Sequence, residues 1–288
     1  MTDQAENLRQ KLTIKQRQKS AKTLCFISGK GGVGKSNVAL NFAIELQQQR
    51  KKVLLIDLDI GMGNIDVLLG ISSEKTIADL FEKGVPVSEV TNTSPKGVDF
   101  ISGGSGLKTI FNLDKQKRET FFMQYNKLVS EYDYIIFDIG AGVTEDSMHF
   151  ILAADECIVV ITPEPTSITD GYGIIKHVVT NQPDMPIYVV MNRSRTEVSG
   201  RKASRKFKQV IWNFLKKDIK TIAILPDDKF VSMAVMKQVP FVLLNKRAPI
   251  TIAMRNMVKN FLATHSPDTN QEISLSFIQK LKALIKER

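Results

Sequence analysis

Eight consecutive residues, Gly29-Lys30-Gly31-Gly32-Val33-Gly34-Lys35-Ser36, form a complete G-x-x-x-x-G-K-[ST] phosphate loop. Glycines let backbone N–H groups converge on phosphate oxygens, and a helix opening at the loop adds a positive field. Lys35 is the residue to reach β- and γ-phosphates, and Ser36 supplies a hydroxyl for Mg²⁺. Two carboxylates, Asp57 and Asp59, end a later apolar run at i, i+2 spacing, which places both on one side of a strand end. A third, Asp138, ends Tyr134-Ile135-Ile136-Phe137-Asp138 and reads as a contact to Mg²⁺ through water. Gly140 and Gly142 follow it and give that segment freedom to move with a terminal phosphate.

These groups need a scaffold that brings strand ends together. Apolar runs at residues 24–27, 53–56, 134–137, 157–161, 187–191 and 222–225 are short, rich in β-branched residues and nearly continuous, as strands buried on both faces are. Helix-length stretches, among them 37–49 and 115–131, fall between most of them. That alternation predicts an α/β fold: a doubly wound, mostly parallel sheet with helices on both faces. Residues 1–21 predict a flexible arm, 22–265 a single catalytic domain, and 266–288 a polar linker with a last amphipathic helix.

Composition narrows the setting. The chain has 288 residues, of which 43% are hydrophobic and 24% charged, in the range of soluble globular proteins. No apolar run reaches the ~20 residues of a membrane span, and the first residues lack the apolar core of a secretory signal. Cys25 and Cys157 lie far apart in strand-like runs, which suits a reducing cytosol. His149, His177 and His265 have no metal-ligand spacing, so Mg²⁺ is expected only together with a nucleotide. A net charge of +10 favours acidic partners without choosing among nucleic acid, anionic lipid and protein.

The second lysine of the loop, Lys30, resembles the deviant phosphate loop of the MinD/ParA class of ATPases. The resemblance covers residues 23–264. It implies an ATP-dependent homodimer in which Lys30 reaches the partner's nucleotide, with Lys35 and Asp59 also catalytic. It further implies that Asp57 helps hold the Mg²⁺ shell, that Asp59 positions the attacking water, and that Asn64 and Asp66 belong to the same switch. Asn192 and the turn Pro226-Asp227-Asp228 would hold adenine; no N-K-x-D motif for guanine is present. The cofactors implied are ATP or ADP with Mg²⁺.

Shorter segments are similar to the FlhG/FleN (YlxH) branch, which governs flagellar number and placement. They are Thr162-Pro163-Glu164-Pro165-Thr166-Ser167 with Asp170, and the arm Asp3-Gln4-Ala5-Glu6-Asn7-Leu8-Arg9. In that branch the arm stimulates an FlhF-type GTPase, so Asp3, Gln4, Ala5, Leu8 and Arg9 are expected to bind such a partner. Flagellar C-ring components are the other partners implied.

At about 100° per residue, Ile273, Phe277, Ile278, Leu281, Leu284 and Ile285 share one helical arc of about 140°, flanked by Lys280 and Lys282. That profile predicts reversible binding to anionic lipid on the inner face of the cell membrane by a cytoplasmic protein. Residues 193–220 carry ten lysines and arginines, which supports an alternative, a DNA-binding partition ATPase. A nucleotide-gated scaffold without hydrolysis is disfavoured by the presence of both Asp57 and Asp59.

Overall fold

In a computed structural model of the chain, the described residues are 21–59, 63–103, 115–142, 144–265 and 276–286. The strands are β1 (Lys22–Ile27), β2 (Val53–Leu58), β3 (Asn92–Thr93), β4 (Asp99–Ile101), β5 (Tyr134–Ile139), β6 (Glu156–Ile161), β7 (Ile187–Ser194) and β8 (Lys220–Pro226). Their order across the single sheet is β3-β4-β2-β5-β1-β6-β7-β8. All pairings are parallel except β3 with β4. All six apolar runs read from the sequence are strands. The short pair β3 and β4 was not legible, because two or three residues beside the Pro95–Gly97 turn carry no measurable period.

Alternate residues along each strand face opposite helical layers, the two-residue period of a sheet covered on both sides. In β1, Leu24 and Phe26 face one layer while Cys25 and Ile27 face the other; in β5, Tyr134 and Ile136 oppose Ile135, Phe137 and Ile139. The first layer holds α1 (Lys35–Gln48), α2 (Ile65–Leu69), α9 (Lys229–Met236), α10 (Phe241–Leu244) and α11 (Pro249–Ala263). The second holds α3 (Ile77–Glu82), α4 (Val87–Val90), α5 (Lys115–Glu131), α6 (Glu145–Ala153), α7 (Pro165–Asn181), α8 (Glu197–Leu215) and α12 (Phe277–Lys286). Several of these helices start where the sequence supplies a side-chain cap. Thr144 with Ser147 and Thr196 with Ser199 form capping boxes for α6 and α8. α1 has no side-chain cap: Gly34 opens it at φ 88°, which leaves its first amides free.

The apolar arc of α12, read from the sequence as a reversible membrane contact, is packed on its own domain in this structure. Phe277, Ile278 and Leu281 are 4%, 5% and 1% exposed, and Leu284 lies against the same core. The cause is a ready-made aromatic groove. The Phe277 ring sits 4.7 Å from Tyr125, 5.2 Å from Phe137 and 6.0 Å from Phe150. Lys280 Nζ donates to Asp155 Oδ1 at 3.1 Å, and Lys282 Nζ to Glu119 Oε2 at 3.0 Å while lying over the Phe122 ring. Ile273, the side chain of Ile285 and the arm residues Asp3, Gln4, Ala5, Leu8 and Arg9 lie outside the described residues. Among the described residues, no helix is long and apolar enough to cross a membrane.

Candidate functional site

The phosphate loop lies at the carboxyl end of β1, between that strand and α1. Gly32 and Gly34 take φ values of 77° and 88°, a conformation that costs a β-carbon residue strain. Gly34 has a second reason to be glycine, since a Cβ there would sit 2.6 Å from Asn192 Nδ2. Gly29 is pressed against α7, where a Cβ would meet the Asp170 carbonyl oxygen at 2.3 Å. The loop is thus gripped from β7 and from α7. Asn192 Nδ2 donates to Val33 O at 2.8 Å, so the residue expected at adenine also touches the loop backbone directly.

Strand register brings the acids together. Asp57 of β2 is the direct neighbour of Asp138 of β5. Phe137 points to the α12 layer, and Asp138, one residue on, points the other way, toward α1. There Lys35 Nζ donates to Asp138 Oδ1 in a buried ion pair, and Ser36 Oγ lies 3.4 Å from the same ammonium. Asp138 Oδ2 is buried with no hydrogen-bond partner. Burial and the Asp138 charge push the Asp57 carboxyl up to about 7. Burial also raises Asp59, partly offset by Lys35. Two buried carboxylates side by side, one with an orphaned oxygen, form a site that a divalent cation would relieve, so these residues fit Mg²⁺. No group of three or more His, Cys, Asp or Glu among the described residues could hold a metal alone, which leaves Ser36 and nucleotide oxygens as the remaining ligands.

Asp57 has a task that sequence reasoning missed. Its carboxylate accepts the backbone N–H groups of Asp59 at 2.9 Å, Asn64 at 2.8 Å and Ile65 at 3.2 Å. It therefore caps α2 and ties both ends of the switch segment to β2. Asp59 sits just past the strand end beside Gly140, whose Cβ would come within 3.0 Å of Asp59 Oδ1. Asp66 accepts from Ser102 Oγ at 3.2 Å, which docks α2 on β4.

Lys30 does not enter the cradle. Its ammonium lies at the exposed rim, 3.0 Å from Thr166 Oγ1 and 3.3 Å from Glu164 Oε2 at the start of α7. The Thr162–Ser167 motif thus meets the loop lysine in space, a link that spacing alone did not reveal. Asp228, expected on the adenine side, caps α9 by accepting from Phe230 N at 2.9 Å and takes Ile250 N of α11 at 3.2 Å. Pro226 ends β8 and Asp227 is exposed beside it, on the same edge of the sheet as Asn192.

A strand–loop–helix phosphate cradle, flanked by acidic strand ends on a parallel sheet, defines a P-loop ATPase. A family model described as an AAA domain matches residues 21–184. The antiactivator FleN of Pseudomonas aeruginosa is 32% identical over 210 residues, spanning 73% of this chain and 75% of FleN. The flagellum site-determining protein YlxH of Helicobacter pylori is 30% identical over 219 residues, spanning 74% of each. A chain of the MinC:MinD cell division protein complex of Aquifex aeolicus superposes with a TM-score of 0.69 at 27% identity, covering 89% of this chain and 98% of that one. The chain belongs to the MinD/ParA family of ATPases, on the branch that contains FleN and YlxH.

Proposed function

We propose that this protein is an ATP-driven homodimer that regulates flagellar number and placement from the cytoplasm, with its C-terminal helix as a reversible membrane contact. The observation that carries the dimer is the position of Lys30. Lys35 already supplies the buried cation of the cradle, while Lys30 stands at the exposed rim, held by Glu164 and Thr166. A rim cation fits delivery to a second copy's phosphates, as an arginine finger is delivered in trans.

In hydrolysis, Lys35 exchanges Asp138 for the β- and γ-phosphate oxygens. Ser36 directly, and Asp57 and Asp138 through water, would hold Mg²⁺, which would supply charge neutralisation for the phosphates. Asp59 orients the attacking water and takes its proton as the bond to the γ-phosphorus forms and the bond to the β-bridging oxygen breaks. Its raised pKa suits a base. Asn192 with Pro226, Asp227 and Asp228 forms the adenine side.

The flagellar role rests on FleN and YlxH as relatives and on the arm Asp3–Arg9 motif, which is read as an activator of an FlhF-type GTPase. C-ring components are the further partners. Residues 273–286 are read as the membrane contact, docked in one state and released in the dimer. A DNA-binding partition role is the second reading, favoured by Arg201, Lys202, Arg205 and Lys206 exposed on α8. Sedimentation with anionic liposomes and with duplex DNA, with and without ATP, separates the two. ATP-dependent recovery with liposomes alone supports the flagellar reading, and recovery with DNA alone supports the partition reading.

A further inference from the structure

The groove beneath α12 has a second candidate occupant within this chain. Its floor is Tyr125, Phe137 and Phe150, and its rim carries Asp155 and Glu119. When α12 leaves for a membrane, as proposed above, these rings face water, and exposing so large an apolar patch is unfavourable. The N-terminal arm joins the domain at the edge of this groove. Ala21 N donates to Val129 O of α5 at 2.9 Å, one helical turn from Tyr125. Thr23 Oγ1 lies 3.1 Å from the Tyr125 hydroxyl, and Thr23 N donates to Asp155 Oδ2 at 2.9 Å. The other oxygen of that carboxylate is the one that takes Lys280.

The arm also carries the matching pattern. Leu8-Arg9-Gln10-Lys11-Leu12 repeats Phe277-Ile278-Gln279-Lys280-Leu281: an apolar residue, then Gln-Lys-Leu two positions on. On a helix, Leu8 and Leu12 share a face, with Lys11 beside it, as Phe277, Leu281 and Lys280 do. The chain between Leu12 and Ala21 can span up to about 30 Å, ample for a return to the groove. Arg9, Lys11 and Lys15 complement the acids of the rim.

We propose that the groove is a shared site. Once α12 vacates it, residues 8–14 of the arm fold into it, with Leu8 and Leu12 in the places of Phe277 and Leu281 and Lys11 on Asp155. Arg9 stands where Ile278 is buried, so the arm fits less well and α12 wins whenever both are free. Arm and helix are thereby mutually exclusive, and Leu8 and Arg9 are withheld from a partner GTPase while the helix is engaged elsewhere.

Hydrogen–deuterium exchange on the full chain, without lipid or nucleotide, tests this independently of any membrane affinity. Phe277→Glu expels α12, seen as lost protection at residues 277–286. Residues 8–14 are then expected to exchange at least about tenfold more slowly than in the parent. Adding Leu12→Glu restores fast exchange. Lys280→Glu, a change at the rim that leaves the core rings in place, shifts both segments the same way and decides the matter where Phe277→Glu does not fold. Residues 8–14 exchanging equally fast in the parent and in a variant with α12 released would overturn the proposal, as would protection of 8–14 in the parent with α12 docked.

Discussion

Lys35 Nζ and Asp138 Oδ1 form a buried ion pair inside the phosphate cradle, with Asp57 on the neighbouring strand. Without a nucleotide, that one ammonium is the only cation within the cradle among the described residues that pairs with either acid. Removing one partner of a buried pair leaves an uncompensated charge and costs roughly 3–5 kcal/mol. Lys35→Ala therefore destabilises the nucleotide-free protein by that order at pH 8. The loss shrinks near pH 5, where Asp57, with its raised pKa, is already protonated. Urea melts at the two pH values measure it, and an equal loss at both contradicts the electrostatic account.

The carboxyl of Asp57 gives a second pH signature. Its pKa is raised on folding from 3.8 to about 7, so the folded state holds the proton more tightly than the unfolded chain. The associated stability is present in full below pH 3.8 and is lost as pH rises toward 7, with a ceiling of about 4 kcal/mol. Stability of the nucleotide-free parent should fall across that window and then level off. Asp57→Asn should flatten the slope and weaken nucleotide binding that depends on Mg²⁺. A parent whose stability rises between pH 5 and 7 after correction for other groups contradicts this.

The six longer strands and the phosphate loop were legible because buried parallel strands are continuous apolar runs and the loop is a contiguous motif. Asp57, Asp59 and Asp138 could be picked out because each ends such a run. What stayed hidden depends on contacts between distant segments. The Lys30–Glu164 meeting spans 134 residues, and the Asn192 amide reaches Val33 across 159. Likewise, the apolar arc of residues 273–286 showed that one face must be covered. A helix pattern states the need for a partner surface and not its identity, and in this structure Tyr125, Phe137 and Phe150 supply it.

Docking of α12 sets the direction of two substitutions. Asp155→Asn removes the charge that holds Lys280 without disturbing the rings, so it should raise liposome binding in the absence of ATP severalfold. Phe277→Glu also frees the helix but places a charge in its apolar arc, so liposome binding should be lost while ATP binding remains. Co-sedimentation with anionic vesicles reads both. If Phe277→Glu pellets like the parent, the helix is a docking element alone.

The central claim is that Lys30 completes a second copy's site while Asp59 activates water in its own. Losing a positioned base lowers turnover by about 10²–10⁴-fold while leaving assembly intact. Light scattering of Asp59→Ala and Lys30→Ala, each with Mg²⁺ and excess ATP, is the most direct measurement. The account predicts a stable dimer for Asp59→Ala and a monomer for Lys30→Ala, both nearly inactive. A monomeric Asp59→Ala protein that still binds ATP, or a Lys30→Ala protein that dimerises and hydrolyses like the parent, would contradict it.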